Sequence, residues 1–322
     1  MLGREVEAER SLEEHQEVIW FTYRSSIPIS ADIHSDVGWG CLVRVAQMAW
    51  AHALLRHFAL LQKRIDTHYI LTSFLEGQGP EFKYGIFRFL EMGGQLWRLR
   101  PGEWYTMTQA ATTLEALHLT SPLKGSERLA IRVCHETVNV KQLLDVFGAP
   151  SCTCPTRRVD CHSCLLSRKT PTQPYFHKSL PRPPLAHRHI ALILTTKLGA
   201  ARVGKENYSA LLELMSLPIF SGCLGGAPDK ARFLTGRHAQ RISYLDPHYV
   251  QPALDQLSLA KNMQGFRCRE VRYMGREDLH PELALCFYLA APTDLQTLLE
   301  AIDRIKTEEP FVRYEWESSD EF

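Results

Sequence analysis

The sequence has no run of eighteen uninterrupted apolar residues, and its first sixteen, Met1 to Gln16, are rich in glutamate and lack the apolar stretch of a secretory signal. Neither a membrane-spanning helix nor a signal peptide is expected, and the reading is of a cytoplasmic chain. A charge imbalance is missing too: 37 lysines and arginines stand against 36 acidic residues, for a formal net charge of +1. That balance provides no broad field to hold nucleic acid or anionic lipid, so any charged partner is met locally. Internal repeats are absent. The nine cysteines are an odd set scattered over 322 residues, which fits reduced thiols better than a disulfide scaffold.

What is present suffices for a large core, with 45% hydrophobic and 23% charged residues. From Cys41 to Leu61, Val45, Met48, Ala49, Ala53 and Leu54 recur at helical spacing, and Trp50, Leu55 and Phe58 widen the apolar face. This predicts a mostly buried helix with Cys41 in its first turn. Further helices are expected over Glu81 to Met92 and Thr108 to His118, with the run Gly93 to Trp104 as a loop between them. Strand-like runs follow at Leu129 to Cys134, Ile190 to Thr196, Arg241 to Asp246, Cys268 to Met274 and Leu285 to Ala290. Helices first and strands mainly later read as an α+β domain. Pro150 to Pro184 breaks the pattern, holding seven of the 18 prolines and four of the nine cysteines. It reads as a surface insertion, which costs little because loop-closure entropy grows slowly with length. The expected organisation is a polar extension over 1–16, one domain over 17–308 with an insertion at 150–185, and an acidic tail over 309–322.

Ser35-Asp36-Val37-Gly38-Trp39-Gly40-Cys41 sets glycines on both sides of a tryptophan immediately before a thiol at a helix start. Unsatisfied N–H groups and the positive end of the helix dipole there favour thiolate, and glycine allows close substrate approach. Far along the chain, Asp246-Pro247-His248 follows a strand-like run. In an extended tripeptide the carboxylate and the imidazole point to the same side, so Asp246 can orient His248 and leave its other nitrogen to activate a thiol. Taken alone, this tripeptide also fits a turn with a surface histidine.

Five ordered motifs, Phe21-Thr22-Tyr23-Arg24, Asp36 to Cys41, Gly102-Glu103-Trp104-Tyr105, Gly225-Gly226-Ala227-Pro228 and Tyr244-Leu245-Asp246-Pro247-His248, together resemble the autophagin family, the autophagy-related protein 4 cysteine peptidases. The resemblance runs from about Trp20 to Ala290, outside the proline-rich insertion. It implies a papain-like α+β fold with a central antiparallel sheet, a nucleophile-bearing helix and a small extra subdomain. It further implies Cys41 as nucleophile, His248 as acid/base, Asp246 as its orienting partner, and the Tyr23 hydroxyl with the Cys41 backbone N–H as oxyanion donors. Trp39 would line a narrow substrate channel, and Trp104 with the loop Gly225, Gly226, Pro228 and Asp229 would gate it. Thr106-Met107-Thr108 stands where the family usually has Gly-Pro-Asn, and Asp229 where it has asparagine. The implied substrate is a ubiquitin-like autophagy modifier of the GABARAP type, cut after a glycine near its C-terminus, and its phosphatidylethanolamine conjugate. Membrane contact would then come only through the lipidated substrate, and no cofactor is needed. A thiol hydrolase of another ubiquitin-like protein and a non-catalytic modifier-binding adaptor remain alternatives.

Three other features stand outside this constellation. Cys152, Cys154, Cys161 and Cys164 could present four thiolates to zinc, but the spacing is irregular and the first pair is tight, which favours an insertion without metal. The end of the chain carries Phe311, Tyr314, Trp316 and Phe322 with no aliphatic residue three positions after any of them, so a solvated tail is expected. His187-Arg188-His189 is read as a solvent-facing loop before a strand.

Overall fold

The computed structural model describes residues 18–62, 66–148, 188–268, 270–305, 307 and 310–316. Helix α1 spans Cys41–Leu60, as the apolar spacing predicts, and it is buried on nearly every side, polar Arg44, Gln47 and His57 included. A helix so buried must be enclosed by other elements. The short α2 (Thr67–Thr72), α3 (Ile86–Trp97) and α4 (Met107–Thr120) form a helical layer with it, sharing one core through Phe74, Phe89, Ala110 and Leu114.

The sheet beneath has seven strands: β2 (Leu129–His135), β4 (His189–Lys197), β5 (Phe220–Ala227), β6 (Lys230–His238), β7 (Arg241–Leu245), β9 (Arg272–Met274) and β10 (Glu282–Leu289). Their spatial order is β2-β4-β10-β5-β6-β7-β9. Every neighbouring pair is antiparallel except β2 with β4, which run parallel, so the sheet is mixed where an antiparallel one was expected. A parallel pair needs a crossover, and the chain between β2 and β4 contains β3 (Thr137–Asn139) and α5 (Val140–Phe147). Helix α1 lies on β5 and β6. The opposite face is covered by α5, α6 (Lys205–Met215) and α7 (Pro292–Arg304), which bury Leu143, Leu211 and Leu298. Between helices on both faces, β10 and most of β4 are buried residue after residue, with no alternation.

Two small parallel ladders fasten the periphery. β1 (Tyr23–Ser25) pairs with β8 (Val250–Pro252), Tyr23 opposite Val250. β11 (Arg313–Glu315) pairs with β3, and Phe311 and Val312 just before it are buried. The final segment is therefore docked at 311–315, where a solvated tail was expected.

Other expectations shift at glycines and histidines. Helix α3 starts later than predicted and runs through Gly93-Gly94. A Cβ on Gly93 would stand 2.0 Å from the Tyr105 hydroxyl, which donates to the Phe89 carbonyl at 2.6 Å, so glycine makes room for a tyrosine clamp. Gly225 and Gly226 belong to β5, not to a loop. The turn to β6 is the two residues Pro228-Asp229, with Asp229 at φ +55°. His189 opens β4 with its Nδ1 2.5 Å from the buried Tyr288 hydroxyl and 3.1 Å from His57 Nδ1. The extension 1–16 and the insertion 150–185, with Cys152, Cys154, Cys161 and Cys164, lie outside the described residues. Among the described residues no helix is long and apolar enough to cross a membrane, and no group of three or more His, Cys, Asp and Glu side chains could hold a metal ion.

Candidate active site

Cys41 is the first residue of α1, with Gly40 at the cap. The turn before it is fixed by Asp36, whose main-chain carbonyl accepts from the Gly40 N–H at 2.8 Å. The Asp36 side chain takes the Arg24 N–H at 2.6 Å and the Arg44 Nε at 2.6 Å. Arg44 in turn reaches Glu76 at 2.7 Å and Gln47 at 3.1 Å. Gly38 has φ +86°, and a Cβ on Gly40 would lie 2.6 Å from the Asp36 side chain. The two glycines thus serve the turn: one supplies a left-handed backbone and the other leaves space for a buried carboxylate.

Trp39 is buried and its indole N–H donates to the Ser35 carbonyl at 3.0 Å. Trp104, by contrast, is 49% exposed, after Gly102 at φ +92°. Thr106, the first departure after the tryptophan motif, caps α4 in a reciprocal box with Gln109 at 3.2 and 2.9 Å.

The second half of the site arrives on the segment after β7. Asp246 Oδ1 takes the His248 ring Nδ1 at 2.6 Å and the His248 backbone N–H at 3.0 Å, so the dipeptide step fixes the ring from two points. The N-terminal segment holds this segment in place: Trp20 Nε1 donates to the Asp246 carbonyl at 2.8 Å, and the Tyr23 N–H donates to the Pro247 carbonyl at 2.9 Å. The Tyr23 ring meets the imidazole edge to face, with centroids 5.4 Å apart. Residues 20–23, 41 and 246–248, remote along the chain, therefore share one corner above the C-terminal end of β7.

Electrostatics tie these groups together. Burial alone opposes charge on Cys41. The His248 imidazole, the Ala231 backbone N–H and the Tyr23 hydroxyl outweigh it and bring the thiol below its ordinary value. For His248 burial likewise opposes the cation, but Asp246 and then Cys41 raise it to about 9. Burial disfavours charge on Asp246, and its bonds to His248 bring it below the usual carboxylate value, so Nδ1 is the donor. Burial first, then Cys41, pushes the Tyr23 phenol far above its ordinary range, so it remains a hydroxyl. The remaining ring nitrogen, His248 Nε2, is buried, and after Asp246 the Cys41 thiol is the group that acts on this imidazole. A thiol, an imidazole held by a carboxylate and a neutral hydroxyl are a set that can make and break acyl–sulfur bonds.

Residues 8–301 match the family described as the Peptidase C54 catalytic domain. The chain belongs to that family. Its papain-like cysteine peptidase fold is the mixed α+β arrangement described above. Among curated relatives, cysteine protease ATG4B of Gallus gallus is 25% identical over 306 residues, covering 89% of this chain and 74% of that protein. A protein named probable cysteine protease atg4 of Aspergillus clavatus is 24% identical, covering 84% and 61%. Cysteine protease ATG4A of Oryza sativa subsp. japonica is 28% identical, covering 86% and 58%. The chain thus spans about three-fifths of the length of several relatives.

Sequence reasoning found Cys41, Tyr23, Asp246 and His248 together, but it gave no role to Asp36 or Ala231. Asp36 could have been noticed as an acidic residue immediately before a glycine-rich turn. The N–H of Ala231 leaves no trace in a side-chain pattern.

Proposed function

We propose that the chain is a thiol peptidase that cuts a ubiquitin-like autophagy modifier of the GABARAP type after a glycine near its C-terminus, trimming its precursor and releasing it from phosphatidylethanolamine. The observation that carries this reading is the 2.6 Å Asp246–His248 contact, in an imidazole that a thiol at a helix start helps to keep protonated. Cys41 thiolate attacks the glycine carbonyl carbon, and the oxyanion is received by the Cys41 N–H and the Tyr23 hydroxyl. His248 gives its proton to the leaving amine, whether of a peptide or of phosphatidylethanolamine, and the C–N bond breaks. Water, its proton taken by the now neutral His248, then hydrolyses the thioester. No cofactor enters these steps. The five motifs and the cysteine-protease names of the relatives support the substrate class.

On this reading residues 17–308 are the peptidase domain, with 1–16 an extension, 150–185 an insertion and 309–322 a tail. Trp39 borders the channel for the modifier's tail, and Trp104 with the turn Pro228-Asp229 at the end of the β5–β6 hairpin forms the gate. The protein works in the cytoplasm and meets membrane only through the lipidated substrate.

The test is cleavage of a panel: modifier precursors, lipid-conjugated modifier on vesicles, and ubiquitin with a matched C-terminal extension. Cleavage after the modifier's glycine with ubiquitin untouched is expected; cutting of ubiquitin alone would reject the substrate class. Tyr23→Phe should lower kcat by about 10²-fold with little change in KM, the loss typical of one oxyanion donor. A kcat within twofold of wild type would remove Tyr23 from that role. The pH profile of kcat/KM should fall on the alkaline side near pH 9 as His248 loses its proton, the limb belonging to the coupled pair. Because Asp246 raises His248, Asp246→Asn should move that limb to lower pH.

A further inference from the structure

The carboxylate that orients His248 has a second oxygen, and what faces it differs from what faces the first. Oδ1 is spent on the His248 ring and backbone. Oδ2 accepts no hydrogen bond among the described residues and is flanked by two guanidiniums, Arg232 Nε at 3.8 Å and Arg272 at 4.0 Å. These two cations are unequal. Arg272 is 40% exposed, engaged by Glu270 at 3.0 Å and set over the Tyr249 ring, so solvent and a second carboxylate screen it. Arg232 is 16% exposed and lies 4.4 Å over the Tyr244 ring, and its Nε is buried with no hydrogen-bond partner among the described residues. Asp246 is its ionic partner.

The N–H of the residue before it, Ala231, is among the groups that bring the Cys41 thiol below its ordinary value. Two successive residues of β6 therefore serve opposite ends of the constellation, one the thiol and the other the carboxylate. Their placement is rigid. Ala231 and Arg232 pair with Gly226 and Gly225. Gly226 has φ +135°, and a Cβ there would come 2.2 Å from the Lys230 carbonyl. The Gly226 carbonyl is itself held by the His280 N–H at 2.8 Å.

We infer that Arg232 is a positioning residue: from the β5–β6 hairpin it holds the Asp246 carboxylate by Oδ2 with Oδ1 aimed at His248, and so sets how firmly the imidazole is held for Cys41. The inference rests on the peptidase reading above. It adds that the hairpin whose turn is assigned there to gating also fixes the orientation of the reacting groups. The groups facing the dyad are Cys41 from α1, Tyr23 from β1, Arg232 from β6, and Arg272 with Glu270 and Cys268 around β9. Of these, Arg232 is the low-exposure cation within 4 Å of the carboxylate.

The experiment compares wild type with Arg232→Met, Arg232→Lys and Cys41→Ala, reading kcat and KM for a modifier precursor from about pH 5 to 10, with thermal midpoints. Arg232→Met should lower kcat about tenfold with KM within about twofold, and move the alkaline limb down by about half to one pH unit, because a carboxylate no longer held at Oδ2 turns Oδ1 off the His248 ring. Arg232→Lys should restore much of both. Should the methionine variant not fold, Arg232→Gln, neutral but polar, is read in the same terms. An alkaline limb at or above that of wild type, or lower by no more than about 0.2 unit, in the neutral variant overturns the inference, whatever happens to the rate. If Cys41→Ala still cleaves, the peptidase reading itself fails; if it is inert while the neutral variant keeps the wild-type profile, only the role of Arg232 is lost.

Discussion

Cys41→Ala is expected to abolish cleavage of a modifier precursor, with a fall in kcat of about 10⁴-fold or more, the scale seen when a nucleophile is removed from a set that acts as a unit. The change deletes one sulfur, the atom proposed to bond covalently with the carbonyl carbon. Asp246, His248 and Tyr23 would stay in position, because their contacts run to β8, to Trp20 and to one another rather than through the thiol. Affinity for the modifier should therefore survive, and calorimetry with the inert variant separates lost chemistry from lost binding. Serine is expected to be nearly as inactive, since its hydroxyl, unlike the thiol, yields no appreciable anion beside an imidazolium. A gel assay showing wild-type turnover in Cys41→Ala would remove the thiol from the mechanism altogether.

The second large effect is on stability. Asp36→Ala should destabilise the fold by about 3–5 kcal/mol, because it strips one of two carboxylate partners from a fully buried guanidinium. Arg44 is 0% exposed, and burial alone would disfavour its charge; Asp36 and Glu76 raise it above its ordinary value instead. Without Asp36 the Arg44 Nε and the Arg24 N–H lose their acceptor in a dry interior. The damage should spread to Cys41, five residues on, since the turn that presents the thiol hangs from the same aspartate. Thermal unfolding should show the midpoint fall by roughly 10 °C, at about 2–4 °C per kcal/mol for a domain of this size. A midpoint within about 2 °C of wild type would mean the buried pair contributes little net stability, as some such pairs do.

The sequence was informative where a physical signal is local. The apolar spacing of α1 located it to within a residue, and Leu129 to Cys134, Ile190 to Thr196 and Arg241 to Asp246 read as strands because β-branched and aromatic residues cluster there. It misled where glycine is used for packing rather than for turning. Gly93-Gly94 looks like the end of a helix, but Tyr105 fills the space they leave. Gly225-Gly226 looks like a loop, but Leu283 and Leu234 press on the first and the Lys230 carbonyl on the second, and both lie in a strand. β1, β3, β8 and β11 are three residues each, too short for periodicity, and pairing alone defines them. At the site, side chains announced themselves by type, while the Ala231 N–H and the Arg232–Asp246 approach depend on how β6 meets β7. That information is in the register, where Phe233 lies opposite Leu245.

An interior strand of the sheet, β10, begins at Glu282, after every other strand of that sheet has been synthesised. β4 and β5 must wait on either side of it, each with one edge unpaired, until it has been made. The scaffold that brings residue 41 beside residue 248 closes only when this strand inserts, after both have been synthesised. That long-range pairing makes folding slow and dependent on protection from aggregation in the interval.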